Sequence, residues 1–472
     1  MANTSVLKMA STSSHLSILS NFVQTHLSHL RLVTPNSREY GTLRPSFSLS
    51  DTAVPLAIIC PYYISDVSSL ISFTTAHHIP VTVRSGGYSY FGAAFAQGAL
   101  ALDLRSLSHI QLYPCHTYAV VGGGVLQGDL ARNLAENGLM TPLAGYSSMG
   151  YVGWATYGGY GPFSAYYGLG VDQIVGAKLV DSEGHVRDSD TEGEEGLLRA
   201  IRGSGGALGV IAELRIRVYP LKKVLAGNLV FGSKDIPRAV EAFNTRFREL
   251  SDHGLPPQLS LKQVTFTNSR KKYFGVEFMW ACEDIDIGRQ WLSTIETIAP
   301  ISRNEVVVTT IPQWMESNSR GPSNGYGQPL TLNVRRLTPE IVALISKYAR
   351  KMTDNCLGFS VHELRGNSAA PDLTSVFGAR EPHFMFEISP IVSRAGDLAE
   401  SERWAQRFIA ELKHTDPANI LPGTYISLTR HTDVSLSNIY GPNFGNLLEL
   451  KWMYDPNDIF NLAVPQLIDN NM

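Results

Sequence analysis

Val83-Arg84-Ser85-Gly86-Gly87-Tyr88-Ser89 is the most informative segment of the sequence, because a short apolar strand there runs directly into two glycines. Glycine has no Cβ and adopts positive φ readily, so two in succession let backbone N–H groups converge on an anion such as a phosphate. Taken alone, the segment is equally well explained as a tight turn. It indicates a binding loop only if similar loops accompany it.

Two further glycine-rich segments lie downstream in the same half of the chain. One reads GYSSMGYVG over residues 145–153 and continues to GGYG at 158–161, and the other reads RGSGGALGVI over residues 202–211. The first of these contains no acidic residue, and its backbone donors could wrap a flat ring and a pyrophosphate. Three spaced loops of this type are poorly explained by turns alone, so they predict a binding site.

A fourth glycine cluster imitates a nicotinamide-dinucleotide fingerprint. Val121-Gly122-Gly123-Gly124 follows a strand-like run and precedes the helix-like segment from Leu126 to Asn137. The acidic residue that should bind the ribose, about twenty residues further on, is missing, because that position reads Leu143-Ala144-Gly145. A nicotinamide site is therefore disfavoured.

Length and charge limit the classes of protein that fit this chain. Its 472 residues are more than a domain with a single hydrophobic core usually contains. The length suits two large domains, or one discontinuous domain with another inserted into it. Its composition, 44% hydrophobic and 17% charged, is that of an ordinary soluble globular protein. A formal net charge of −3 gives no field that would attract nucleic acid or an anionic membrane. We therefore expect a small molecule as the partner.

The cysteines and the N-terminus exclude several further classes. Cys60, Cys115, Cys282 and Cys356 lie far apart, so neither a metal site nor a disulfide framework is indicated, and buried free thiols are expected. The N-terminal segment lacks a charged region followed by an unbroken apolar run, so a cytoplasmic protein without a secretion signal is expected. Apolar runs of the roughly 18 residues that a membrane span requires are missing as well.

Two patterns of secondary structure divide the chain near Pro220. Before it, short apolar runs predict strands at residues 56–60, 81–84, 99–104 and 118–121 and a helix at 64–78. After it, longer alternating runs at residues 259–266, 274–280 and 383–388 predict antiparallel strands, flanked by amphipathic helices at 236–250, 339–352 and 398–412. An α+β protein is expected.

Four segments together resemble the PCMH-type FAD-binding domain of the vanillyl-alcohol-oxidase family, and specifically its berberine bridge enzyme-like group. They read VRSGGYS, VGWATYGGYGPFSAYYGLGVDQIVGAKLVDSEG, LLRAIRGSGGALGVIAELRIRVYP and, near the C-terminus, YGPNFGNLLELKWMYDP. The resemblance implies a FAD-binding domain at residues 44–221, completed by a C-terminal segment at 425–472. A substrate-binding domain at 222–424, with an antiparallel sheet flanked by helices, would be inserted between them.

The same resemblance implies an activity and a set of cofactor-binding positions. The expected reaction is hydride transfer to FAD from a small organic substrate of the secondary-metabolite kind, with O2 as a possible electron acceptor. The positions implied for FAD are Arg84, Ser85, Gly86, Gly87, Tyr88, Ser89, Tyr146, Ser147, Ser148, Gly150, Gly153, Gly158, Gly159, Gly161, Val210, Tyr440 and Asn443.

The chain departs from the family pattern where the flavin is usually tethered. The family has histidine after the first glycine pair, covalently joined to the flavin, and this chain has Tyr88. In the second loop the family often has a cysteine anchor, and this chain has Tyr146. Non-covalent FAD is therefore expected, with both tyrosines filling volume beside the ring.

The catalytic base is less evident. The family carries a glutamate in a glycine-pair motif, but the nearest match, Arg365 to Ala370, places Ala370 at that position. Polar residues expected on the inner face of the sheet are Gln263, Glu277, His362, His383, Glu387, Tyr425 and Arg430, of which Glu387, His383 and Tyr425 are the candidate catalytic residues. Burial should raise the pKa of Glu387 and suit it to acid–base work, although a solvent-facing carboxylate fits the same pattern.

Two alternatives to a flavin oxidoreductase stay open at this point. A non-redox isomerase or cyclase could keep FAD as a structural wall while acid–base residues direct a rearrangement, and missing tethers favour this modestly. A binding scaffold without FAD is the third possibility, against which the intact glycine loops argue.

Overall fold

The computed structural model describes residues 2–192, 194–232, 235–268, 271–318, 324–430 and 433–468. The helices are α1 Ala2–His26, α2 Tyr40–Leu43, α3 Ile64–Ala76, α4 Gln127–Glu136, α5 Tyr151–Thr156, α6 Ser164–Tyr167, α7 Gly170–Gln173, α8 Glu195–Ser204, α9 Ile236–Asp252, α10 Ile285–Glu296, α11 Ile311–Asn318, α12 Pro339–Lys351, α13 Leu398–Thr415, α14 Leu436–Tyr440 and α15 Phe444–Tyr454. The strands are β1 Leu32–Val33, β2 Ala57–Ile59, β3 Val81–Arg84, β4 Leu100–Asp103, β5 Ile110–Leu112, β6 Tyr118–Gly122, β7 Leu139–Met140, β8 Ile174–Val180, β9 Val186–Asp188, β10 Val210–Arg217, β11 Tyr219–Pro220, β12 Val224–Phe231, β13 Leu259–Asn268, β14 Lys271–Trp280, β15 Ile301–Asn304, β16 Val307–Thr309, β17 Leu330–Val334, β18 Cys356–Leu364 and β19 His383–Val392.

The first glycine loop follows β3 in a small mixed sheet, in which β1 pairs antiparallel with β2. The strand order is β1-β2-β4-β3, and β2 and β3 both run parallel to β4. Leu19 and Val23 of α1 share a buried core with Leu70 of α3 and Leu102 of β4. Helix α1, which lies before residue 44 in the chain, therefore packs against this sheet.

The nicotinamide-like glycine cluster lies in a second sheet, and its glycines serve packing. The strand order is β5-β6-β10-β8-β9 with antiparallel pairing throughout, unlike the parallel sheet of a dinucleotide-binding fold. A Cβ on Gly122 would overlap the carbonyl of Leu107, and one on Gly124 would overlap the carbonyl of Leu104. Close approach of two backbones explains these glycines.

The chain after Pro220 forms a broad antiparallel sheet in the order β15-β12-β14-β13-β18-β19-β17, with β16 also paired to β12. Helices α9, α12 and α13 cover one face, where Phe243, Ile345 and Phe408 are fully buried. Alternation along β13 sends Leu261 to this helical face and Lys262 to the opposite face.

The C-terminal segment returns to the first half of the chain. Leu447 and Leu450 of α15 join the core that contains β6, β8 and β10. The ammonium group of Lys451 donates to the carbonyl of Ala207, 3.0 Å away, and lies 2.6 Å from Oδ2 of Asp455. Asp455 in turn accepts from the backbone N–H of Phe460, which fixes the chain beyond α15.

The α+β fold and the strands and helices expected from the sequence are confirmed, with ends that differ by a few residues. The expectation of buried thiols was wrong in part, because Cys356 is buried but Cys115 is exposed. Within the described residues no helix combines the length and apolar character that crossing a membrane requires.

Candidate cofactor and active site

A cavity of about 330 Å³ lies between the glycine loops and the helix-free face of the broad sheet. Three groups of residues line it. The loops contribute Ser85, Gly86, Gly87, Tyr88, Ser89, Tyr146, Gly150, Gly153, Gly161, Gly206 and Gly209; the sheet contributes Ser260, Lys262, Glu277, His362, Met385 and Glu387; the C-terminal part contributes Tyr425, Phe460, Leu462, Ala463 and Val464.

The first and second glycine loops pack backbone against backbone at the cavity wall. A Cβ on Gly86 would overlap the backbone nitrogen of Gly150, so a larger residue would push the loops apart. The hydroxyl of Ser85 donates to the carbonyl of Gly123, 2.8 Å away. Two loops distant in sequence thus form one continuous wall of backbone.

Gly153 and Gly206 show that this wall suits a flat dinucleotide cofactor. Both line the cavity, and a Cβ at either position would meet no atom within 4 Å. Bare backbone at two points lets a bound group approach closely, as FAD binding requires. Aromatic side chains of Tyr88 and Tyr146 border the same space. The residues present therefore fit FAD.

Arg84 lines the cavity but its guanidinium is used by the fold. The side chain is 5% exposed, donates to the carbonyl of Leu43 and lies 3.6 Å from Oδ2 of the fully buried Asp103. Burial lowers the pKa of Arg84 to about 10, although the Asp103 carboxylate opposes that shift. Its side chain thus holds the start of the loop in place.

Tyr88 and Tyr146 lie side by side at the two tether positions. Their ring centroids are 6.3 Å apart, and the Tyr88 ring also packs 4.8 Å from that of Phe47. Burial raises the pKa of Tyr88, while a hydrogen bond with Ser148 opposes the shift. Lys262 lowers the pKa of Tyr146, but burial and nearby carboxylates outweigh it and raise the value to about 12. Both phenols are protonated at neutral pH.

The sheet presents two polar pairs to the cavity. Nζ of Lys262 lies 2.7 Å from Oε2 of Glu277 on the neighbouring strand. Nε2 of His362 lies 3.3 Å from Oε2 of Glu387, and the hydroxyl of Ser389 lies 3.4 Å from its Oε1. A carboxylate with a nearby imidazole is suited to accept a proton and pass it on.

The pKa of Glu387 moves in the direction opposite to the sequence expectation. Burial alone would raise it, as expected, but the hydrogen bond with His362 and the nearby charge of Lys262 together hold the pKa below its ordinary value of 4.5. Glu387 is therefore ionised at neutral pH and is suited to be a base rather than an acid.

The other two candidate catalytic residues occupy different positions. Tyr425 lines the cavity, its ring lies 4.5 Å from that of Tyr160, and burial raises its pKa to about 12. His383 is 1% exposed and stands behind Tyr160, whose hydroxyl lies 3.1 Å from its Nε2. His383 is not among the described residues that line the cavity, and Tyr160 lies between it and that space.

Several implied cofactor positions do not line the cavity. Those outside the described cavity lining are Ser147, Ser148, Gly158, Gly159, Val210, Tyr440 and Asn443. Val210 is fully buried in β10, and the hydroxyl of Tyr440 donates to the carbonyl of Gly203. Asn443 accepts from Arg199 at 2.7 Å. Tyr440 and Asn443 thus fasten the C-terminal segment to α8, whereas Phe460, Leu462, Ala463 and Val464 line the cavity.

The sequence pattern did not identify Lys262 as a residue that faces the cavity and indicated its neighbour Gln263 instead. Gln263 points to the helical face, where its amide donates to Asn244 over 2.9 Å. The alternation in β13 shows that one of the two faces the cavity, but the sheet's orientation decides which. The tail residues 460–464 gave no signal, since an apolar run after a turn is common. Arg430 likewise stands outside the described lining.

Comparison with known proteins agrees with this geometry. A FAD-binding domain family matches residues 55–190. The FAD-linked oxidoreductase aurO of Gibberella zeae is 31% identical over 456 residues, which cover 92% of this chain and 85% of the relative. The (R)-6-hydroxynicotine oxidase of Paenarthrobacter nicotinovorans is 31% identical over 194 residues, 40% of this chain and 42% of that protein.

Solved structures share the fold at lower identity. The 6-hydroxy-D-nicotine oxidase from Arthrobacter nicotinovorans superposes with a TM-score of 0.81 at 21% identity, covering 92% of this chain and 96% of that one. The BBE-like 1 protein of Physcomitrella patens gives a TM-score of 0.80 at 18% identity, with 93% and 97% coverage. With the full-length similarity to a curated relative and a cavity built for a flavin dinucleotide, the chain belongs to the FAD-linked oxidoreductases of the berberine bridge enzyme-like group.

Proposed function

We propose that this FAD-dependent oxidoreductase holds its cofactor without a covalent bond and oxidises a small secondary-metabolite-like molecule, with Glu387 accepting the substrate's proton and O2 accepting the electrons. The observation that carries the proposal is the Glu387–His362 pair on the sheet face opposite the glycine loops. The relatives support the substrate size, since one acts, by its name, on hydroxynicotine.

The proposed division of the chain follows the sheets. Residues 44–221 and 425–472 would bind FAD, and residues 222–424 would bind the substrate. In support, the glycine loops connect strands of the smaller sheets, which have four, five and two strands, and the polar pairs belong to the broad one. Because α1 packs into the first sheet, the FAD-binding part would begin before residue 44.

The residues suggest how the reaction would proceed. FAD, when bound, supplies the acceptor for the hydride that leaves the substrate carbon. The ionised Glu387 would take the proton from the substrate's oxygen or nitrogen, and His362 would receive it next. Tyr425 is protonated and would donate a hydrogen bond to the substrate. Met385, beside Glu387 on the same face, would help to exclude water.

Non-covalent binding is supported by the tether positions. Tyr88 and Tyr146 replace the histidine and cysteine that anchor the flavin in relatives, and neither phenol is ionised at neutral pH. We expect acid precipitation of the yellow holoenzyme to leave all FAD in the supernatant. A fluorescent protein band on a denaturing gel would overturn non-covalent binding.

Glu387→Gln tests the base. We expect substrate to bleach the flavin about 10²–10⁴ times more slowly in this variant under anaerobic conditions, because general-base catalysis contributes that much. Glu381→Gln is the matched control, since that carboxylate pairs with Arg335 away from the cavity. Equal bleaching rates in both variants would exclude Glu387. Turnover without bleaching, giving a product of equal mass, would instead identify an isomerase.

A further inference from the structure

Lys262 and Glu277 form an ion pair on the cavity face that the proposed reaction does not use. They are directly paired residues of β13 and β14, with Nζ and Oε2 2.7 Å apart, and their side chains are 19% and 30% exposed. Both line the cavity beside Tyr146. The ammonium has three donors and the carboxylate two acceptor oxygens, so one contact leaves capacity on each for a ligand.

The charges around this pair select the kind of group it can bind. Among the described residues that line the cavity, Arg84 is engaged by Asp103 and the carbonyl of Leu43, and Glu363 is paired with Arg365. The charged groups that remain to face a ligand are the cation Lys262 and the carboxylates Glu277 and Glu387. A ligand carboxylate would meet Lys262 but would be repelled by both glutamates. A ligand ammonium would meet the glutamates but would be repelled by Lys262. A neutral hydroxyl avoids both costs, because it accepts from Lys262 and donates to Glu277 at once.

The side chains around the pair indicate which kind of chemical group in the ligand bears the hydroxyl. Tyr88 and Tyr146 border the cavity near the pair, and Trp314 and Met149 line the same space. Flat aromatic faces and a thioether favour an aromatic ring, through stacking and sulfur–ring contacts. A hydroxyl directly on such a ring also donates a stronger hydrogen bond to a carboxylate than an aliphatic one.

We propose that the Lys262–Glu277 pair recognises a phenolic hydroxyl, so that the substrate is a hydroxylated aromatic compound. The inference rests on the proposed function in that it names the substrate class of the same cavity. Glu387 takes the proton at the reacting group, whereas the pair orients the ring by its hydroxyl.

Four naphthalene probes test this on the FAD-loaded enzyme: 2-naphthol, 2-naphthoate, 2-naphthylmethylammonium and naphthalene. Binding is measured from the change in the flavin absorbance spectrum. We expect 2-naphthol to bind about tenfold or more tightly than naphthalene, because a hydrogen bond to a charged group contributes that much, and to bind more tightly than either charged probe. Equal binding of 2-naphthol and naphthalene, or tighter binding of a charged probe, would overturn the proposal.

Single substitutions then test the contributions of Lys262 and Glu277 to probe binding separately. Lys262→Met should shift the preference to the ammonium probe, and Glu277→Gln should shift it to naphthoate. Lys272→Met is the control, because Lys272 sits on the same sheet and pairs with Asp354, 3.6 Å away, outside the described cavity lining. An unchanged probe order in both cavity variants would contradict recognition by the pair. The probe order does not depend on turnover, so loss of redox activity alone would count against the proposed reaction only.

Discussion

Nε2 of His362 on β18 lies 3.3 Å from Oε2 of Glu387 on β19, on the sheet face that looks towards the glycine loops. The two residues are on adjacent strands but are not directly paired, since Glu387 is opposite Ser360. The contact keeps the pKa of a half-buried carboxylate low, against the effect of burial. A base on this face is thus ionised and ready across the neutral range.

His362→Leu should move the acid limb of the pH–rate profile upwards. Without the imidazole, burial would dominate and raise the pKa of Glu387, and a base with a higher pKa needs a higher pH to be ionised. The rate of anaerobic flavin reduction, measured from pH 4 to pH 8, checks the shift. Ser389→Ala removes a weaker, 3.4 Å contact to the same carboxylate and should move the limb less. An unmoved limb in His362→Leu would exclude Glu387 as the titrating group.

Gly206→Ala should weaken FAD binding while leaving the apoprotein as stable as before. The φ of −85° at this position suits alanine, and the added Cβ would enter open cavity space. We expect at least about a tenfold rise in the dissociation constant for FAD, from the loss of close backbone approach. Gly396→Ala is the control, because its Cβ also meets nothing within 4 Å but lies on the exposed surface. Equal affinity for FAD in the two variants would show that the cofactor does not approach Gly206.

Lys451→Met should destabilise the protein by about 3–5 kcal/mol, because it leaves the buried carboxylate of Asp455 without its cation. Lys451 is 2% exposed and Asp455 fully buried, so solvent cannot compensate. Chemical denaturation of the apoprotein measures the loss. The exposed Lys223→Met should change stability by less than about 0.5 kcal/mol. A loss no greater than that of the control would show that the pair does not stabilise the tail.

His383 should make stability fall as the pH drops below about 6.5. Burial lowers its pKa from the ordinary 6.5, so the unfolded chain binds a proton more readily than the folded one in that range. His383→Gln keeps a partner for the Tyr160 hydroxyl but does not titrate, so its Tm should fall less between pH 7 and pH 5. The exposed His414→Gln should keep the dependence of the parent protein. The same slope in all three proteins would rule out His383 as the source.

The family, the α+β architecture and the glycine loops were predictable from the amino-acid sequence alone, because these depend on local signals. A glycine pair after a strand, an alternating run and an amphipathic stripe each reflect backbone conformation over a few residues. The missing histidine and cysteine were visible in the same way, at Tyr88 and Tyr146.

Which polar residues meet in the cavity depends on the folded arrangement of the strands and could not be predicted from the sequence. Lys262 and Gln263 are adjacent in sequence, yet strand alternation and the side on which the helices pack send one to the cavity and the other to Asn244. The pKa of Glu387 likewise depends on His362 and Lys262, which are far from it in sequence, and their attraction exceeds the effect of burial. Long-range register and through-space electrostatics leave no local trace in a sequence, so the ion pair that faces the substrate became evident only in the folded chain.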